Sequence, residues 1–367
     1  MKPQLTPELH QRLYESAEKA ATAGEPDREA LSALRASGLL ATAVPRAHGG
    51  AGGDAAEINR VTARIAAANP SVAIIAFQHF AVSARIAEWG TEEQKRALLP
   101  RLADGSVLAA SSWSEDGAGA AKQNLSSTGV RRPDGSWLLS GAKTFTTGAA
   151  VADLYLVLVA TGAPGSGEQA AYGAAGQTFF LVPADNPGLV ADLALDLAGM
   201  RGSATGLVTL DECVVADGSR LGPEGRAASI IAGVRESGAT LGAVSAGIAE
   251  AAFDLALRHT RTRGLLALPT VRHRLVGLAT RLETVRAAVE RAGARTAPDP
   301  GLATLHSKLH ATAAAEEICL DVARMLGSAG YRAAGTADRL LADARGVGLM
   351  GPTNDLCREL VALSWTA

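Results

Sequence analysis

Near the C-terminus the chain reads Leu326-Gly-Ser-Ala-Gly-Tyr331, then Asp343-Ala-Arg345, then Met350-Gly-Pro-Thr-Asn-Asp355. The first run closes a helical stretch, Ala303–Leu326, and the second lies in a shorter helix around Thr336–Gly346. Working back, Val271–Ala294 is helical, as is Ser229–Arg261. Within the latter, Gly242, Ala246, Gly247 and Ala249 are small enough for close helix contact. From about residue 223 onward the pattern is therefore that of a bundle of long helices.

The character is different ahead of that point. From Ser106 to Leu221 the signals are short strands and turns. Trp137-Leu-Leu-Ser140 follows the turn Pro133-Asp-Gly135, and Asp153–Ala160, Thr178–Val182 and Gly206–Val215 are strand-like. The Gly-, Ala- and Ser-rich stretch Thr161–Gln177 reads as an exposed loop, because strand signals resume directly after it. Residues 1–107 are helical again, over Glu8–Ala23, Asp27–Ser37, Glu57–Ala68 and Val72–Trp89. Thr91-Glu-Glu-Gln94 is a capping box that starts a helix running to Leu99. Pro45 and the glycines at 49, 50, 52 and 53 form a loop between helices. The expected architecture is α+β and multi-domain: a helical N-terminal domain (1–107), a central antiparallel β domain (108–222) and a C-terminal four-helix bundle (223–367).

Composition narrows the class. At 367 residues the chain can bury a large core, and 47% hydrophobic against 20% charged residues describes a soluble globular protein. Aromatics are only 4% while glycine numbers 40, so the core must be built from small side chains. A net charge of −2 argues against nucleic acid as a partner. Cys213, Cys319 and Cys357 lack metal-ligand spacing and a disulfide framework, so no metal site and a reducing cytoplasm are expected. The polar, helix-forming start gives no signal-peptide pattern, and apolar runs such as Ser71–Phe77 and Leu154–Ala160 are shorter than a membrane span.

Several runs carry chemistry when taken in order. Pro45-Arg-Ala-His-Gly-Gly50, Ala87-Glu-Trp-Gly-Thr-Glu-Glu-Gln-Lys95 and Leu98-Leu-Pro-Arg-Leu-Ala-Asp-Gly105 are, by themselves, a turn and helix ends. Ser112-Trp-Ser-Glu-Asp-Gly-Ala-Gly119 is a glycine-rich turn after a strand. Gly141-Ala-Lys-Thr-Phe-Thr-Thr147 is a strand, and His259-Thr-Arg-Thr-Arg263 with Leu266, Pro269 and His273 joins two helices. Together with the C-terminal runs, this succession resembles the acyl-CoA dehydrogenases over nearly the whole chain.

The resemblance implies FAD held between β domain and bundle. Trp113, Ser114 and Gly119 match flavin contacts, Ser114 keeping the hydroxyl of the family's threonine. Phe145 would pack on the flavin, and Thr146 and Thr147 would hydrogen-bond to it, the redox chemistry belonging to the cofactor. Arg263 matches the arginine that a neighbouring subunit lends to the cofactor's pyrophosphate, chemistry suited to a guanidinium. Leu266 replaces the family's phenylalanine, and His273 falls where a side chain near the cofactor is common. Gly327 and Ser328 stand where backbone meets the other subunit's cofactor, with Arg324 in place of a glutamine. Thr353 and Asp355 stand where the family closes over the flavin. A homodimer or homotetramer follows from these shared positions.

One position departs sharply from the family. At equal spacing Gly351 replaces the glutamate that takes the substrate's α-proton, and Ala120 and Ala121 replace residues that help hold a CoA ester. General-base help is worth ~10²–10⁴-fold, so glycine cannot stand in for it. Some members carry the base on the first bundle helix, where Ser237 falls, with Glu236 beside it as the candidate and Arg235 as its partner or a contact for an acidic substrate. One residue turns a helix by about 100°, so Glu236 requires a shifted register. The expected function is FAD-dependent oxidation of a small-molecule or acyl-thioester substrate, on CoA or a carrier protein, with an electron-transfer partner. The alternative is a monooxygenase fed reduced flavin by a reductase. His79 reads as a buried structural histidine, or, in that second case, as a residue near the site.

Overall fold

A computed structural model describes residues 4–120, 122–162, 172–333 and 335–366 of the chain. Five helices open it: α1 (Pro7–Ala23), α2 (Arg28–Ala36), α3 (Ala55–Ala68), α4 (Pro70–Trp89) and α5 (Glu92–Ala103). Each starts on a side chain that accepts from its first turn, namely Thr6, Asp27, Asp54, Asn69 and Thr91. Such caps contribute about 1 kcal/mol each by satisfying amides that have no intrahelical partner. The capping box is formed: Gln94 N donates to Thr91 Oγ1 at 3.2 Å, and Thr91 N donates to Gln94 Oε1 at 2.9 Å. Helix α4 is 20 residues long and apolar enough by composition to cross a membrane, which the short apolar runs did not suggest; 72% of its most apolar window is buried inside the protein.

Eight strands follow: β1 (Ala109–Ser112), β2 (Thr128–Arg131), β3 (Trp137–Thr146), β4 (Leu154–Ala160), β5 (Gln177–Pro183), β6 (Leu189–Asp192), β7 (Gly206–Val215) and β8 (Arg220–Leu221). They form one sheet in the order β6-β7-β3-β2-β4-β5-β8, with β1 joined to β4. The sheet is mixed rather than antiparallel throughout. β1 pairs with β4 in parallel (Ala109 opposite Leu154), and β2 meets β4 in parallel at Thr128 and Ala160. Strand β4 arrives only after the β2–β3 hairpin, and that intervening chain is the crossover a parallel pair requires. Both faces of β4 are buried. Leu154, Leu156 and Leu158 pack in one cluster with Ile86 of α4 and Leu99 of α5, while Tyr155, Val157 and Val159 pack against Trp137 and Phe180. This explains why its sequence is a continuous apolar run rather than an alternating one.

The remainder is helical: α6 (Ala227–Glu236), α7 (Gly242–Thr262), α8 (Pro269–Ala294), α9 (Pro300–Met325), α10 (Thr336–Leu349) and α11 (Asn354–Leu363). The stretch Ser229–Arg261, expected as one helix, is two. Gly238 lies in the left-handed region at φ +85°, and a Cβ there would come within 2.5 Å of Ala292 O. Asn59 of α3 secures the break, its Nδ2 donating to Gly238 O at 3.0 Å and its Oδ1 accepting from Thr240 N at 2.9 Å. Small residues do bring helices together as expected: a Cβ on Gly247 of α7 would lie 2.3 Å from Ala63 O of α3. The loop expected to be exposed over Thr161–Gln177 is not uniformly so. Residues 163–171 lie outside the described residues, but Tyr172 is buried at 8% exposure.

Candidate active site

A cavity of about 580 Å³ opens where the three parts of the chain meet. Helix α4 supplies Phe77, the segment after β1 supplies Trp113, Ser114 and Gly119, and the end of β3 supplies Phe145 and Thr147. The other wall comes from α6, α9, α10 and the segment Met350–Thr353. The break after α6 turns Ala239, Thr240 and Leu241 onto this wall. Among the described residues, three of the six non-glycine residues with positive φ, Lys122 (55°), Phe145 (52°) and Met200 (54°), line the cavity. Strained backbone of this kind persists only where its surroundings over-determine it, and it gathers at functional sites.

The segment carrying Ser114 is held by a buried ion pair. Lys143 Nζ of β3 donates to Glu115 Oε1 at 2.6 Å, with side-chain exposures of 0% and 2%. The Glu115 carboxylate also accepts from Ser126 N, Ser126 Oγ and Ser127 N. Burial alone would raise its pKa, but the Lys143 charge and these hydrogen bonds outweigh burial and hold it at about 2. Ser114 O in turn accepts from Thr144 N at 2.9 Å, which ties the loop to β3.

Of the side chains lining the cavity, four are basic (Lys122, Arg235, Lys308 and Arg345) and none among the described residues is a carboxylate. Lys308 of α9 is 3% exposed, and burial pushes its pKa down to about 8. Its Nζ donates to Met350 O at 2.8 Å and to Pro352 O, pinning the segment on either side of Gly351. Hydrogen bonds from a charged group are worth about 1.5–3 kcal/mol. Lys308→Met is therefore expected to speed amide exchange at Leu356 and Cys357, which bond to Thr353, while β4 amides exchange as before. Unchanged exchange at those two amides would show that Lys308 does not hold the segment.

Gly351 borders the cavity. Among the described residues, a Cβ there would meet Tyr172 Oη at 3.6 Å and Lys122 Nζ at 3.9 Å, both at ordinary contact distance. Lys122 is 4% exposed and its Nζ donates to Ser114 Oγ at 2.7 Å. Neither Lys122 nor Tyr172 stood out in the sequence: one follows an alanine pair after a glycine turn, the other sits in a Gly- and Ala-rich loop. Lys308 was legible in principle, as a lysine three residues after Leu305 on the buried stripe of α9.

The expected site residues divide into groups. Trp113, Ser114, Gly119, Phe145, Thr147 and Thr353 all line the cavity. Thr146 does not; it is buried, its hydroxyl 2.9 Å from Ser112 Oγ, because β3 turns alternate residues inward. Asp355 is exposed on α11 and pairs with Arg358 at 2.6 Å. Arg263, Leu266, His273, Arg324, Gly327 and Ser328 lie away from the cavity, at the bundle end where α7 finishes, α8 begins and α9 finishes. Glu236 does not line the cavity: it is exposed at the last turn of α6, its Cγ 3.8 Å from where a Gly301 Cβ would be, and Arg235 takes the cavity side. One residue turns a helix by about 100°, enough to put the Arg235 side chain at the cavity and the Glu236 carboxylate away from it. His79 is buried outside the cavity, its Nδ1 accepting from Ala109 N at 3.3 Å, with its pKa pushed down to about 4 by burial. Ala120 lines the cavity, while Ala121 lies outside the described residues.

Comparison with known proteins places this geometry. The family models for the acyl-CoA dehydrogenase N-terminal, middle and C-terminal domains match residues 8–106, 110–213 and 227–365. The chain is 30% identical to the L-prolyl-[peptidyl-carrier protein] dehydrogenase of Pseudomonas fluorescens, over 89% of this chain and 87% of that one. It is 31% identical to the cyclohexane-1-carbonyl-CoA dehydrogenase of Geobacter metallireducens, over 96% and 93%. The butyryl-CoA dehydrogenase structure from Megasphaera elsdenii superposes with a TM-score of 0.86 at 22% identity, covering 100% of both chains.

Proposed function

Since the chain belongs to the acyl-CoA dehydrogenase family, whose members are FAD-dependent oxidoreductases, we propose that it oxidises an acyl thioester with a proton acceptor unlike the usual one. FAD is the family cofactor and, when bound, supplies a two-electron acceptor for hydride. The residues present suit it. Trp113 Nε1 is buried without a partner among the described residues, Phe145 stands 64% exposed at the cavity wall, and Ser114 and Thr147 add hydroxyls. Cationic lining without carboxylates suits the phosphate-bearing tails of flavin, CoA and carrier-protein thioesters alike. The cationic, carboxylate-free cavity is the observation that carries the proposal.

The two relatives at 30% and 31% identity are named for ring-bearing acyl groups, one on a carrier protein and one on CoA. A compact cyclic acyl thioester is accordingly the substrate class proposed. The bundle-end group, Arg263 with Arg324, Gly327 and Ser328, would serve a neighbouring protomer's cofactor, which makes a homodimer or homotetramer part of the proposal. Electrons would pass on to a separate electron-transfer partner in the cytoplasm.

Anaerobic titration of the FAD-loaded protein against a thioester panel tests this directly. Cyclic acyl thioesters are expected to bleach the flavin absorbance. The missing carboxylate at 351 favours a second reading, a monooxygenase using reduced flavin and oxygen. Spectra unmoved by every thioester, with product only from reduced flavin plus oxygen, would establish that reading instead.

A further inference from the structure

We propose that Lys122 is the general base of this site, acting from the wall opposite Gly351 on the proton that a carboxylate at 351 would otherwise take. The inference rests on the thioester reading above and names the residue that makes it workable. A glutamate projecting from position 351 would enter the space that Lys122 Nζ and Tyr172 Oη now approach, at 3.9 and 3.6 Å from its Cβ. The amine thus reaches the same space from the other side.

The surroundings of Lys122 suit a neutral amine. An ammonium has three donors to satisfy, and among the described residues Nζ has one partner, the Ser114 hydroxyl at 2.7 Å. No carboxylate bonds to Nζ among the described residues. The nearby carboxylate, Glu115, is instead engaged by Lys143 at 2.6 Å. The other groups facing the cavity are the Tyr172 phenol, kept protonated by burial, and the cations Lys308, Arg235 and Arg345. Burial first, and the Lys143 charge second, bring the pKa of Lys122 down to about 8, with Glu115 opposing. The backbone is set as deliberately as the side chain. Lys122 holds φ at 55°, its carbonyl accepts from Gln177 Nε2 at 2.7 Å, and Gln177 Oε1 accepts from Ala174 N at 3.0 Å.

In the step itself the Cα–H bond of the thioester breaks. Its electron pair remains on Cα, delocalised into the thioester carbonyl, and the proton passes to neutral Nζ, which becomes an ammonium. Because the neutral form is the active one, the rate rises with pH through about 8 and then levels.

A phenylacetyl thioester isolates this step, since it has α-hydrogens but none on the β-carbon and so cannot be dehydrogenated. Wild-type protein in D2O is expected to load deuterium at its α-carbon, read by mass spectrometry. Lys122→Met is expected to slow that exchange by about 10²–10⁴-fold. Lys122→Arg, which keeps the charge but has no lone pair to offer near neutral pH, is expected to be equally slow. Competitive acetylation of the wild-type protein, scored peptide by peptide against pH, supplies a readout independent of turnover and of any variant's folding. Lys122 is expected to titrate near 8 there. Titration at 10 or above, or exchange in Lys122→Met within threefold of wild type, would overturn the assignment. Absent wild-type exchange alongside thioester bleaching of the flavin would remove the base role and leave the thioester reading standing. Absence of both would remove both.

Discussion

Lys143→Met is expected to destabilise the protein by about 3–5 kcal/mol, the cost of leaving one member of a buried ion pair without its counter-charge. The Glu115 carboxylate would remain at 2% side-chain exposure with only Ser126 and Ser127 as donors. The urea midpoint of the cooperative transition reads the effect. Pairing the change with Glu115→Gln should return part of the loss, because the uncompensated charge, more than the missing attraction, makes the single variant costly. A midpoint unmoved by Lys143→Met would mean that the pair is not the anchor of the Ser114 loop. The acid side follows from the same pair. Glu115 has a folded pKa of about 2, below its unfolded value near 4.3, so its contribution is complete above the unfolded value and drains away as pH falls towards 2.

Gly351→Glu is expected to restore α-proton exchange to protein that also carries Lys122→Met, recovering much of the ~10²–10⁴-fold loss. Space exists for the side chain, because the nearest atoms to a new Cβ are 3.6 and 3.9 Å away and Gly351 does not lie at positive φ. With wild-type Lys122 the same substitution acts differently. A carboxylate so close to Nζ favours the ammonium and is itself a base already ionised below pH 8, so exchange should persist there and its rise through about 8 should flatten. Deuterium uptake across a pH series measures both. A double variant no faster than Lys122→Met alone would show that the space beside Gly351 does not meet the reacting carbon.

Much of the molecule was legible from local chemistry. The capping box at Thr91 and Gln94 is a short-range signal, and strand β7 runs over Gly206–Val215 as its pattern implied. The break between α6 and α7 was not legible, because it depends on Asn59, far away in sequence, bonding to Gly238 and Thr240. The parallel pairing of β1 with β4 was hidden for a similar reason, since register between distant strands leaves no mark on either strand alone.

The same division runs through the site. Order along the chain determined the family, the cavity-lining residues Trp113, Ser114 and Gly119, and the fact that position 351 holds no carboxylate. Spacing alone also offered Glu236 as a replacement, and the fold turned it outward. Only the packing of three distant segments decided that Lys122, Tyr172 and Gly351 meet. Burial, which changes what an amine can do, belongs to the assembled structure and to no stretch of sequence by itself.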